Sequence, residues 1–158
     1  MTRTRRRAAA AAIAVACTGA AIVAAAPAWA APAGQTISFT EHTTSDHTFN
    51  LGPGQSFAVG SVELFADNLT HDGKKIGHDG GSFTVVRLGT KSADQVCSLT
   101  VVLAHGQIDL AGLVTDTKKG PGTFQLAITG GTGRYQSARG YATIVPTDSP
   151  KVTVHISA

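Results

Sequence analysis

The sequence predicts an all-β fold, closed as an eight-stranded antiparallel up-and-down β-barrel behind an N-terminal signal peptide. Three observations lead there. After the first thirty residues no stretch keeps a helical apolar period; short β-branched runs with every second residue apolar recur instead. The runs are separated by short Gly, Asp and Pro clusters, so consecutive strands pair antiparallel. No helix is left to cover a second sheet face or an edge, and closure hides edges best. An open two-sheet sandwich is the alternative that sequence period alone does not separate.

Residues 1–30 read as an export signal. Arg3, Arg5, Arg6 and Arg7 form a basic start, Ala8 to Ala26 an alanine-rich apolar stretch, and Ala28-Trp29-Ala30 a small-x-small cleavage pattern, which puts the mature start at Ala31. A membrane anchor and lipidation at Cys17 are the alternatives; the first suffers from weakly hydrophobic alanine, the second from the lack of a leucine three residues before the cysteine. The expected protein is therefore a secreted single domain, residues 31–158, with no stable membrane insertion after cleavage.

Cleavage changes the charge. The whole chain carries 13 basic and 10 acidic residues, net +3. Removing the four arginines leaves nine against ten, net −1, which withdraws the electrostatic argument for a nucleic-acid partner. Charged residues are only 15% of the chain and apolar ones 42%, a composition that folds. Cleavage also removes Cys17 and Trp29, so the domain keeps one cysteine and no internal disulfide, and stability must come from an apolar core. Cys97, in the apolar run Val96-Cys97-Ser98-Leu99, reads as a buried structural thiol.

Eight strands are expected: Gln35 to Glu41, Ser56 to Ala66, Gly81 to Gly89, Gln95 to Ala104, Gly106 to Val114, Gly122 to Thr129, Ala138 to Val145 and Lys151 to Ser157. Alternation is clearest in Leu99/Val101/Leu103, Phe124/Leu126/Ile128 and Val152/Val154/Ile156. In the second run Glu63, Phe65 and Asp67 share one parity, yet apolar residues occupy both faces, and the inward side stays open. Eight strands enclose either a filled core or room for one small ligand.

The stretch Ala127-Ile128-Thr129-Gly130-Gly131-Thr132-Gly133-Arg134-Tyr135-Gln136-Ser137-Ala138-Arg139-Gly140 resembles the strand-turn-strand signature of the allene oxide cyclase and dirigent barrel superfamily. Leu64 to Thr70 with Gly77 and Gly81 resembles its second strand, an Asn/Asp-x-Leu turn and a Gly-x-x-x-Gly entry; Gly106-Gln107-Ile108 with Gly112 resembles its next hairpin. Independently of the family, successive glycines permit a tight turn, and Gly140 inside a strand marks a bend or close backbone approach.

The resemblance implies a small hydrophobic or phenolic ligand whose cyclisation or stereoselective coupling is directed by cavity shape without a cofactor. It implies homo-trimer assembly through outer strand faces, as in many members. It also implies a first-strand glutamate and a second-strand polar group at the site. Phe39-Thr40-Glu41-His42-Thr43 places Glu41 at the first and Asp67 at the second, with roles as general acid or base or as an electrostatic anchor. Thr43 stands where the cyclases carry an amide, and Gly81-Ser82-Phe83 lacks their cysteine. A non-catalytic binding or interaction module with a side-chain-filled barrel is therefore the second reading.

Other constellations are weaker. His71-Asp72 and His78-Asp79, joined by His42 and His47, form the most metal-like grouping, but two Asp-Gly turns with solvated histidines explain it, and no metal is expected. Gly130 to Gly133 lacks the Lys-Ser/Thr and helix of a phosphate loop. There is no G-x-S-x-G elbow, and no tryptophan platform for a sugar beside Glu63, Asp67 or Asp109.

Overall fold

The computed structural model describes residues 34–157; the signal segment lies outside them. Eight strands close into one antiparallel barrel in sequence order: β1 (Gln35–Phe49), β2 (Val62–His71), β3 (Lys74–Leu88), β4 (Ser92–Leu103), β5 (Gly106–Thr117), β6 (Phe124–Gly131), β7 (Arg139–Val145) and β8 (Lys151–Ser157). β8 returns to pair with β1, from Gln35 opposite Ile156 to Thr40 opposite Lys151, so no edge is left open. The expected strand count and meander hold, and the sandwich does not.

Alternation sets the interior. Cys97, Leu99 and Val101 on β4, Ile108 and Leu110 on β5, Leu126 and Ile128 on β6, and Val152, Val154 and Ile156 on β8 are buried with their neighbours turned outward. Burying each such side chain is worth about 1.5–3 kcal/mol, and this is the store of stability in a domain with a single free, buried cysteine.

Several expected boundaries shift: the first strand runs to Phe49 rather than ending at Glu41, the third begins at Lys74 rather than Gly81, and the sixth spans Phe124–Gly131 rather than Gly122 to Thr129. The second strand begins at Val62 rather than Ser56, because Pro53–Gln55 form a short helical turn and Gly60 adopts φ +90°. The Ser61 hydroxyl pins that turn by donating to the Asn50 carbonyl and accepting from the Ala58 amide. Phe57 and Val59, weighed as strand residues, are exposed in the connection. The strand then runs past the expected Asn/Asp-x-Leu turn to His71; the reversal occurs at Asp72-Gly73, both with positive φ. Asp79-Gly80, expected as a second Asp-Gly turn, lies inside β3 instead.

The glycine-rich signature works at one end of the barrel. After β6, a short helical turn at Gly133–Tyr135 drives Tyr135 and Ala138 into the core and plugs that end. Its amides are consumed internally, Thr132 donating to the Gln107 carbonyl and Arg134 to that of His105, so the turn offers no phosphate cradle. At Gly140, φ is +123° and a Cβ would sit 2.0 Å from the His155 carbonyl oxygen; the expected close approach is real.

Candidate functional site

The end of the barrel opposite the Tyr135 plug is hollow. A cavity of about 210 Å³ is walled by Phe65, Phe83, Leu99, Phe124, Leu126 and Ile144, and rimmed by Pro121, Pro146 and Pro150 from the β5–β6 and β7–β8 connections. Proline suits a rim because it fixes the chain and asks for no amide partner. Phe65 and Phe83 stack on the wall with ring centres 5.4 Å apart.

Acids occupy the same space. β2 directs Glu63, Phe65, Asp67 and Leu69 inward, settling the open parity of that strand. β1 directs Glu41 and Thr43 inward; an irregularity between Thr43 and Ser45 then resets its register, so that Asp46 lines the mouth opposite Phe65. Glu41 lies diagonal to Asp67 across the β1–β2 ladder, where Thr43 pairs with Asp67 and Glu41 with Leu69. Both candidates from the sequence, Glu41 and Asp67, therefore line one cavity.

A third carboxyl, weighed from the sequence only as part of a His-Asp grouping and an Asp-Gly turn, joins them. Asp79 pairs directly with Asp67 across the β2–β3 ladder and lies beneath the cavity floor. The three side chains are nearly closed to solvent: Glu41 is 8% exposed, Asp67 5% and Asp79 3%. Neither Asp79 oxygen receives a hydrogen bond from an amide, hydroxyl or cation, and Asp67 Oδ1 is equally unpartnered. Carboxyls in that state bond to one another only through a retained proton. Burial, then Glu41 and Asp67, push the Asp79 carboxyl up to about 9. Burial, then Asp67, raise Glu41 to about 7, with the Asp79 hydrogen bond pulling the other way. At neutral pH Asp79 is a proton-bearing acid and Glu41 is poised between its two forms.

The mouth repeats the pattern. Glu63 is raised by burial and by the charges of Asp46 and Asp116, and Asp116 Oδ1 is buried without a partner. Acids elsewhere are satisfied: Asp94 is held below its usual range by a hydrogen bond from Thr115 and by Arg87, and Asp109 accepts from Thr100 at 2.8 Å. Among the described residues no lysine, arginine or histidine lines the cavity.

Cys97 also lines the cavity. Burial first, then Glu41 and Glu63, push its thiol up to about 12, so it is a structural, protonated thiol and not a nucleophile. The histidine grouping does not assemble: His78 is exposed on the outer face of β3 while Asp79 points inward, His71 meets only Asp72 at the exposed hairpin, and His42 bonds Thr70 outside the barrel. Among the described residues no group of three or more His, Cys, Asp or Glu is arranged to hold a metal ion.

These features define a closed eight-stranded barrel with a ligand-sized, apolar-walled and acid-floored cavity at one end. The chain belongs to the allene oxide cyclase barrel-like family, whose domain model matches residues 36–157. It is similar to a solved pyocyanin demethylase, with 27% identity over 78% of this chain and 100% of that one and a TM-score of 0.69. The pterocarpan synthase dirigent protein PsPTS1 shares the fold at 20% identity over 77% and 92% of the two chains, TM-score 0.60. So does the Diels Alderase AbmU from Streptomyces koyangensis, at 19% over 78% and 69%, TM-score 0.61. No curated protein matches the sequence.

Proposed function

We propose that the barrel binds one small, mostly apolar, unsaturated or phenolic molecule in this cavity and directs its cyclisation or stereoselective coupling. The observation that carries the reading is Glu41, a carboxyl raised to about 7 at the floor of an apolar cavity, because a proton-transfer group works best when its pKa lies near ambient pH. The phenylalanine walls hold a flexible ligand in one reactive conformation, and orientation supplies most of the rate gain. Glu41 gives a proton to the ligand as the ring closes and takes one back from the product, so the reaction conserves electrons and calls for no cofactor. Asp67 stabilises positive charge as it develops. Coupling of radicals would need an oxidant acting elsewhere, with the barrel supplying only the facing geometry.

The likeness to a pyocyanin demethylase, at 27% identity over the whole of that chain, supports a small-molecule ligand. The proposal includes export with removal of residues 1–30. It also includes a homo-trimer formed through the outer faces of β2, β4 and β5, where Leu64, Val96 and Leu113 are exposed. A binding protein without turnover is the second reading, favoured by Thr43 at the position where the cyclases carry an amide.

The test is calorimetric melting of the protein with a panel of phenolics, epoxides and polyenes, since a ligand at a hundred times its Kd adds about 2.7 kcal/mol. A rise for one chemical class, with product formation lost in Glu41→Gln, supports the enzyme. A rise with no product supports the binder, and no rise with any class rejects the cavity as a ligand site.

A further inference from the structure

Six of the ten acids in the chain, Glu41, Asp46, Glu63, Asp67, Asp79 and Asp116, line or back the cavity, and among the described residues no basic side chain lines it with them. A buried carboxylate is stable only when a cation or hydrogen-bond donors replace the water it has lost. The fold supplies such partners to Asp94 and Asp109 but leaves Asp67, 95% buried and facing the cavity, with Oδ1 empty-handed. The single proton on Asp79 can serve only one of its two acid neighbours at a time, and a cationic partner for Asp67 is left to what enters the cavity.

We infer that the ligand of this barrel is a flat, apolar molecule bearing a positively charged nitrogen, which enters nitrogen first and pairs with Asp67 and Glu41 on the cavity floor. The inference rests on the proposed reading of the cavity as a ligand site and narrows it. Three features agree on the class. The walls are aromatic, and the faces of Phe65, Phe83 and Phe124 attract a cation as well as a planar frame. The mouth acids Asp46, Glu63 and Asp116 draw positive charge inward and repel anions. The volume, about 210 Å³, exceeds the roughly 150 Å³ in which an engineered cavity of another protein holds one benzene, so one substituted ring or a fused pair fits. The same features exclude free fatty acids and other carboxylates, whose charge would meet four lining acids and no counter-ion.

Three probes of one shape and different charge decide the matter: naphthylmethylammonium, naphthylmethanol and naphthoate, titrated calorimetrically at about pH 7.5, where the amine is charged. The expected result is an ammonium Kd about tenfold or more below that of the alcohol, and no binding of naphthoate. Asp67→Asn removes that preference, bringing the ammonium Kd to within about twofold of the alcohol Kd measured on the same variant. Glu63→Gln, half-buried at the mouth and mild in its effect on folding, weakens the ammonium about threefold and leaves the alcohol unchanged. Equal affinities, naphthoate binding, or an ammonium preference that survives both substitutions overturns the inference. If the alcohol binds and the ammonium does not, the cationic ligand is rejected and the ligand site stands. If none of the three binds, the inference and the reading it rests on fall together.

Discussion

Asp67 on β2 and Asp79 on β3 stand directly opposite each other in an antiparallel ladder, both inside the barrel, with three of their four oxygens lacking any donor. Directly opposed residues lie about 5 Å apart at Cβ, close enough that like charges destabilise the pair. With Glu41 reaching the same spot from β1, the fold concentrates acids where only a proton or a ligand can neutralise them.

Stability therefore depends on pH. In the unfolded chain Asp79 and Glu41 ionise near their ordinary values of 3.8 and 4.5, and in the fold near 9 and 7. Between those values the folded state holds protons that the unfolded state has released, so raising the pH favours unfolding. The melting temperature is expected to be highest near pH 5 and to fall by roughly 5 to 10 °C on approaching pH 9. Asp79→Asn, which keeps a neutral polar group, flattens the decline. A melting curve indifferent to pH in the wild type would refute the buried acid cluster.

The site acids should oppose stability. A buried carboxyl without a cation or a full set of donors costs stability, so Glu41→Gln and Asp67→Asn are each expected to raise the melting temperature by a few degrees at about pH 8 while abolishing turnover or lowering it about a hundredfold. Differential scanning calorimetry beside an activity assay reads both. Variants that melt lower and keep activity would assign these residues to structure.

Cys97 should be inert. With 1% of its surface exposed and its thiol pushed up to about 12, it is expected to react with a disulfide reagent at about pH 8 no faster than the barrel opens. Labelling kinetics across denaturant concentrations check this. Rapid labelling of the native protein would show instead a thiol reachable through the mouth and activated by its surroundings.

Gly140→Ala should be among the most damaging single changes. The added methyl has no room beside the His155 carbonyl, and the positive φ is one that alanine resists. The expected cost exceeds about 3 kcal/mol, read as a loss of soluble protein or a large drop in denaturation midpoint. Gly54→Ala, also at positive φ but with open space around it, isolates the conformational part and costs about 1 kcal/mol.

Much of the fold was written locally. Period-two alternation in Leu99/Val101 and Val152/Val154/Ile156, together with short turn-rich connections, determined the strand count, the antiparallel order and the inner face of most strands, because side-chain direction in a strand depends only on residue parity. Glu41 and Asp67 were legible through resemblance of the runs around them. Asp79 was not, because His78-Asp79-Gly80 reads locally as a turn, and only the β2–β3 register sets it opposite Asp67. Asp46 was hidden for a related reason: the irregularity after Thr43 changes the parity of β1, and nothing in Thr43-Thr44-Ser45 announces it. Chain alternation determined which residues could face inward. Tertiary closure alone decided which of them meet, because contact across a barrel depends on register and curvature accumulated over all eight strands, and that same closure shut three carboxyls away from water without a counter-charge.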